Sequence, residues 1–88
     1  MPLYAVTIRI TATPEQVAAV LGPQLEQLQE LDRAGRIRLA GKLGQDDGFL
    51  AIVEAKDLLD ARATAEGFPL IRDGFASWTL RLFEELQK

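Results

Sequence analysis

The order of its hydrophobic periods limits this chain most: two, then helical, then two and two, then helical, then two. Residues 3–10 alternate, with Tyr4, Val6, Ile8 and Ile10 on one side and Leu3, Ala5, Thr7 and Arg9 on the other. Successive side chains of a strand point to opposite faces, so this is a strand with one strongly apolar face and one mixed face. Thr13-Pro14-Glu15-Gln16 then opens a helix. Thr13 can accept from the open amides of the first turn, Pro14 needs no amide partner at the first helical position, and Gln16 can return a bond to residue 13. Val17, Leu21, Leu25, Leu28 and Leu31 follow at helical spacing. Gly22-Pro23 interrupts them, and because proline has no amide to donate, a kink or a division of the helix is expected there. Gly35 ends the helix, with Arg33 in its last turn where positive charge suits the dipole.

Residues 36–43 alternate again, setting Ile37, Leu39 and Leu43 against Arg36, Arg38, Ala40 and Lys42. Gly44-Gln45-Asp46-Asp47-Gly48 has the composition of a hairpin loop. Residues 49–55 are apolar on both sides, as a central strand covered on both faces would be. Asp57 can cap a second helix through Leu58, Leu59, Ala61, Ala63 and Ala65, ending near Gly67. Residues 68–74 form a connector with room for one helical turn. Residues 75–83 make the last strand, with Trp78, Leu80 and Leu82 opposite Ser77, Thr79, Arg81 and Phe83, and 84–88 are a polar tail. This βαββαβ order predicts an α+β domain of ferredoxin-like type, a four-stranded antiparallel sheet with both helices on one face. At 88 residues, the whole of 1–88 is one domain.

Composition narrows the chemistry by what it lacks. There is no cysteine, hence no disulfide, thiolate nucleophile or thiol-bound metal, and no histidine, the usual general base near neutral pH and the commonest zinc ligand. Catalysis, if present, must use carboxylates, lysine, tyrosine, hydroxyls or backbone groups. No cofactor and no metal is expected; Asp46-Asp47 between two glycines is ordinary turn chemistry before it is a cation site. No phosphate-cradling glycine loop or serine-nucleophile motif occurs. A net charge of −3 argues against a nucleic-acid partner, and no run of about twenty apolar residues is present to span a membrane. With no charged and apolar leader at its start, the chain is expected in the cytoplasm.

A two-layer domain leaves one sheet face in water. Here that face is expected to carry apolar residues of the third strand beside Thr7, Arg9, Arg38, Lys42, Thr79 and Arg81. Such a face is too apolar for free surface and too charged for a dry core, so a homodimer or higher homo-oligomer enclosing a semi-polar cleft is expected. The alternative is a monomer whose long Arg and Lys stems shield the sheet.

Two stretches also carry a family likeness. Leu28-Gln29-Glu30-Leu31-Asp32-Arg33-Ala34-Gly35-Arg36 followed by Ala40-Gly41 resembles the end of the first helix and the start of the second strand in YCII-related proteins. Gly67-Phe68-Pro69-Leu70-Ile71-Arg72-Asp73-Gly74 is similar to the segment before the last strand in muconolactone isomerase-like proteins. Both groups belong to the dimeric α/β-barrel superfamily. The resemblance implies two ferredoxin-like subunits packed sheet on sheet, with small-molecule chemistry of an isomerase, lyase or monooxygenase kind in a pocket between sheet and helices or loops. YCII-related proteins typically place a histidine in the first helix, paired with an aspartate. Gln24 stands at about the histidine position and Asp32 near that of the aspartate. Glutamine hydrogen-bonds but accepts no proton near pH 7, so the chain departs from the family pattern there.

The candidate residues follow. Asp32 and Glu54 would serve as acid–base groups if partly buried, since desolvation raises a carboxyl pKa; otherwise they are surface charges. Arg9, Arg38 and Arg81 would hold a carboxylate or phosphate if their strands bring them together, and otherwise form subunit salt bridges or plain surface. Gln24 joins them as a ligand-binding residue through the resemblance. Tyr4 and Trp78, on apolar faces, are core residues before they are pocket walls. The expected function is binding of a small organic, anionic molecule, with isomerase or lyase-like turnover by a carboxylate while arginine stabilises an enolate-like charge. The alternative is a non-catalytic ligand-binding or assembly module.

Overall fold

The computed structural model describes residues 1–45 and 47–86. The order is β1 (Leu3–Ile10), α1 (Pro14–Arg33), β2 (Ile37–Leu43), β3 (Gly48–Glu54), α2 (Leu58–Glu66), α3 (Pro69–Arg72) and β4 (Ala76–Phe83). The strands form one antiparallel sheet in the order β2-β3-β1-β4. This is the expected ferredoxin-like βαββαβ arrangement, and α3 is the single turn anticipated in the connector.

The helix starts are built as their residues require. The Gln16 amide donates to Thr13 Oγ1 at 3.3 Å while Gln16 Oε1 accepts from the Thr13 amide at 3.0 Å, a reciprocal cap that engages two otherwise open donors. The Asp57 carboxylate caps α2 by accepting from the Asp60 amide at 2.8 Å. Gly35, at φ +73°, takes the left-handed turn that ends α1.

Two expectations about α1 change. The helix is not divided at Pro23 but runs unbroken from Pro14 to Arg33. Gly22 and Pro23 lie on its exposed side, where water can meet the carbonyl that proline leaves without a donor. The buried line is also rotated. Val20 and Gln24 are the buried residues of the helix, whereas Leu21 and Leu25 are exposed.

The core lies between the sheet and the helices. Tyr4, Val6 and Ile8 of β1 meet Ala51 and Val53 of β3, Ala61 and Ala65 of α2, and Phe68. The alanines let α2 approach the sheet closely. Full burial of Ile8 or Phe68 is worth about 1.5–3 kcal/mol each. Gly48 begins β3 hard against the backbone carbonyl of Ile8, and a Cβ there would collide with it.

The second strand holds the main correction. Ile37 pairs with Val53 but Leu39 pairs with Ile52, so two steps along β2 match one step along β3 and Arg38 is bulged out of the ladder. A one-residue bulge exchanges the two faces for everything that follows. Ala40 and Lys42, opposite Ala51 and Phe49, therefore lie on the helix-covered face, while Leu39 and Leu43 lie on the other. Lys42, expected on the open face, is not there.

The open face divides into two halves. Over β2 and β3 it is apolar, with Leu39, Leu43, Leu50 and Ile52; over β1 and β4 it carries Thr7, Arg9, Ser77, Thr79 and Arg81. Ile52 sits on this face yet is only 1% exposed.

Candidate functional site: a groove between the first helix and the second strand

Two adjoining cavities run between α1 and β2. The inner one, about 240 Å³, has Ile8, Phe49, Ala51 and Phe68 behind it and Gln24, Leu25 and Leu28 from α1 beside it, with Ala40, Gly41 and Lys42 of β2 opposite. The outer one, about 400 Å³, shares Leu25, Leu28 and Ala40 and adds Gln29, Asp32, Ile37, Arg38 and Leu39. A small residue opens this groove: Ala40, on the helix-covered face, stands where a bulkier side chain would close the space beneath α1. The exposure of Leu25, a poor position for leucine in free surface, becomes intelligible as a wall of the groove.

Gln24 is the buried polar residue of the core, 3% exposed. Its Oε1 accepts from the Leu70 amide at 3.3 Å, and its Nε2 donates to Gln27 Oε1 at 3.2 Å. These two bonds fix which way the amide is turned, oxygen to α3 and nitrogen along α1. An amide nitrogen carries two hydrogens, so beyond its bond to Gln27 the group has a second donor for an occupant of the pocket.

Arg38, displaced by the bulge, lines the outer cavity and also reaches the open face. There it grips Glu85 with two parallel bonds, Nε to Oε1 at 2.6 Å and Nη2 to Oε2 at 3.1 Å. This hydrogen-bonded ion pair holds the Glu85 carboxyl below the ordinary glutamate range. The same bond, helped by the nearby charges of Glu85 and Glu54, holds the Arg38 guanidinium above its ordinary value.

A family model for the YCII-related domain matches residues 3–84. The chain belongs to the YCII-related domain family. No curated protein matches it in sequence. Among solved structures, it is similar to 5-chloro-2-hydroxyhydroquinone dehydrochlorinase from Burkholderia phenoliruptrix, determined with 2,5-dihydroxybenzoquinone. The TM-score is 0.75 at 18% identity, over 93% of each chain. That likeness establishes the shared fold.

In this YCII-related domain the groove gathers Gln24, Asp32 and Arg38 of the residues singled out in the sequence. The others lie elsewhere. Glu54 ends β3 on the open face, half-buried, with its carbonyl accepting from Arg36 Nε at 3.1 Å. Arg9 stands opposite Gly48 and Ser77 at the hairpin end of β1, and Arg81 opposite Ala5. Four residues of β1 separate those two rows, roughly 13 Å of strand, so Arg9 and Arg81 do not converge with Arg38 on one point. Tyr4 is buried in the core, and Trp78 is half-buried beside Leu58 and Leu59. Of the Asp46-Asp47 pair, Asp46 lies outside the described residues. Among the described residues, no helix is long and apolar enough to cross a membrane.

Lys42 is the groove residue that sequence reasoning misplaced. Its position depends on the bulge at Arg38, and nothing in the alternation of residues 36–43 marks where a residue is skipped. Leu25 was visible as part of an apolar stripe, but on the wrong side of it.

Proposed function

We propose that this YCII-related domain binds a small organic anion in the groove between α1 and β2, as a homodimer of the α/β-barrel kind acting in the cytoplasm. The observation that carries the proposal is the make-up of the inner cavity. It is an apolar space of small-molecule size with one oriented amide inside it and the cationic side chain of Lys42 on its β2 wall, and Arg38 lines the adjoining outer cavity. Apolar walls with a few fixed polar groups are what small-molecule sites generally present. The dehydrochlorinase of similar fold holds a small oxygenated ring, and a ligand of that size suits these cavities.

Binding without turnover is the first reading, because Gln24 cannot move a proton near neutral pH. A second reading, an isomerase or lyase-like enzyme, is favoured by Asp32 and Arg38 lining the same cavity. Asp32 would take a proton and Arg38 would balance the charge left on the substrate. In the homodimer, the apolar half of each open face would be covered by the second copy. Arg9 and Arg81 would border the cleft as subunit or ligand contacts.

The test is a titration of small aromatic and alicyclic acids against the native protein and Ala40→Phe. Ala40 is exposed and shared by both cavities, so phenylalanine there fills the groove without replacing a core residue. The expected result is micromolar to millimolar binding to the native protein and at least a tenfold loss in the variant. Equal binding to both would place the ligand elsewhere.

A further inference from the structure

We infer that the C-terminal tail is a built-in competitor for the groove: Glu85 occupies, as an internal carboxylate, the guanidinium edge of Arg38 that an anionic ligand would use. This deepens the ligand-binding proposal and rests on it.

The topology makes the contact unusual. β2 and β4 are the two opposite edges of the sheet, with β3 and β1 between them. Glu85 follows β4 by two residues, yet its carboxylate meets a side chain of β2. The tail and the Arg38 side chain must therefore reach towards each other across the open face. Beneath them lies a cavity of about 270 Å³ lined by Arg38, Leu39, Ile52, Phe83 and Glu85, over the side chain of Ile52.

Arg38 is placed to serve two sites. As the bulged residue it is free of the strict alternation that assigns its neighbours to one face. It lines both the outer cavity of the groove and the cavity under the tail. An arginine binds a carboxylate best through two parallel N–H donors, and the Nε–Nη2 edge of Arg38 is already engaged in that way. A carboxylate entering the groove can have that edge only if Glu85 gives it up.

The exchange is feasible because both partners are solvent-exposed, with side-chain exposures of 58% and 47%. Exposed pairs are weak even in good geometry, so a ligand carboxylate held also by the groove walls can displace Glu85. A neutral ligand of the same shape makes no demand on Arg38 and is indifferent to the tail. Tail occupancy therefore sets the preference of the groove for charged over neutral ligands.

The experiment compares benzoate and benzamide, by calorimetric titration at low salt, on the native protein, Glu85→Gln and the neighbouring control Glu84→Gln. Removing the Glu85 charge is expected to tighten benzoate by about two- to five-fold, the scale of a weak exposed pair. Benzamide affinity, and both affinities of Glu84→Gln, are expected to stay at native values. At 0.5 M salt the gain for benzoate should shrink, as screening releases the tail in the native protein as well. Equal benzoate affinity in the native protein and Glu85→Gln, with binding present in both, overturns the role of the tail and leaves the groove standing. Absence of binding of either probe to any of the three proteins overturns the groove proposal and the tail's role with it.

Discussion

Gln24 and Glu85 do opposite jobs with the same kind of bond. Gln24 is inside, where an unmet polar group is costly; its bond from the Leu70 amide holds α1 to α3, and its bond to Gln27 along α1 meets the amide nitrogen. Gln24→Leu keeps the volume and leaves the Leu70 amide buried without an acceptor. Urea unfolding should show a loss of about 1–3 kcal/mol; an unchanged midpoint would mean that the amide is met by water. Glu85 is outside, and its bond to Arg38 is an exchangeable one. Because that bond depresses the Glu85 pKa in the folded state, its contribution is complete above the ordinary glutamate range and disappears as pH falls through the depressed value. A carboxyl-carbon NMR titration should give Glu85 a midpoint below the ordinary glutamate range, and Arg38→Met should return it to that range. A Glu85 midpoint within the ordinary range in the native protein would contradict the pairing.

The elements show how far local sequence determines structure here. Strand alternation, the Thr13–Gln16 reciprocal cap and the Asp57 cap are short-range chemistry, and they place β1, β4 and both helix starts from residues within a few positions of each other. Where placement depends on a partner across the sheet, alternation alone fails. The bulge at Arg38 comes from matching β2 to β3, and it carries Ala40 and Lys42 to the helix face, which is why the groove was legible only in part. Gln24 and Asp32 are legible through the family likeness and Arg38 through its strand pattern, whereas alternation alone puts Lys42 on the wrong face. The rotation of α1 has a similar cause, since packing against β2 and α3 decides which of two nearby apolar lines turns inward. α1 also carries residues that weaken it without evident structural need. Gly22 has nothing within 4 Å of where a Cβ would stand, so Gly22→Ala should stabilise the protein by about 0.5–1 kcal/mol. Thr13→Ala should cost about 1 kcal/mol by opening the cap. Denaturant midpoints check both; a destabilising Gly22→Ala would show that the glycine serves packing unseen in the single chain.

In the molecule as a whole, the helices cover one face of the sheet and leave the other with an apolar half and a cationic half. A domain of 88 residues buries only about 60–65% of the surface its unfolded chain exposes. Covering Leu39, Leu43 and Leu50 with a second copy would therefore add to a modest total. Sedimentation velocity should give a dimer at micromolar concentration, and Leu39→Glu, on an exposed residue, should shift it towards monomer. A native protein that stays monomeric throughout that range would remove the dimer and leave the groove as a site within one chain. The groove remains the central claim. Its most direct test is a ¹⁵N NMR titration with benzoate, following the side-chain amide of Gln24 and the backbone amides of residues 38–42. The account predicts that these signals move together along one saturable curve, while those of Ser77 and Thr79 on β4, the opposite edge of the sheet, stay still. Saturable shifts centred on β4, with Gln24 unmoved, would contradict it.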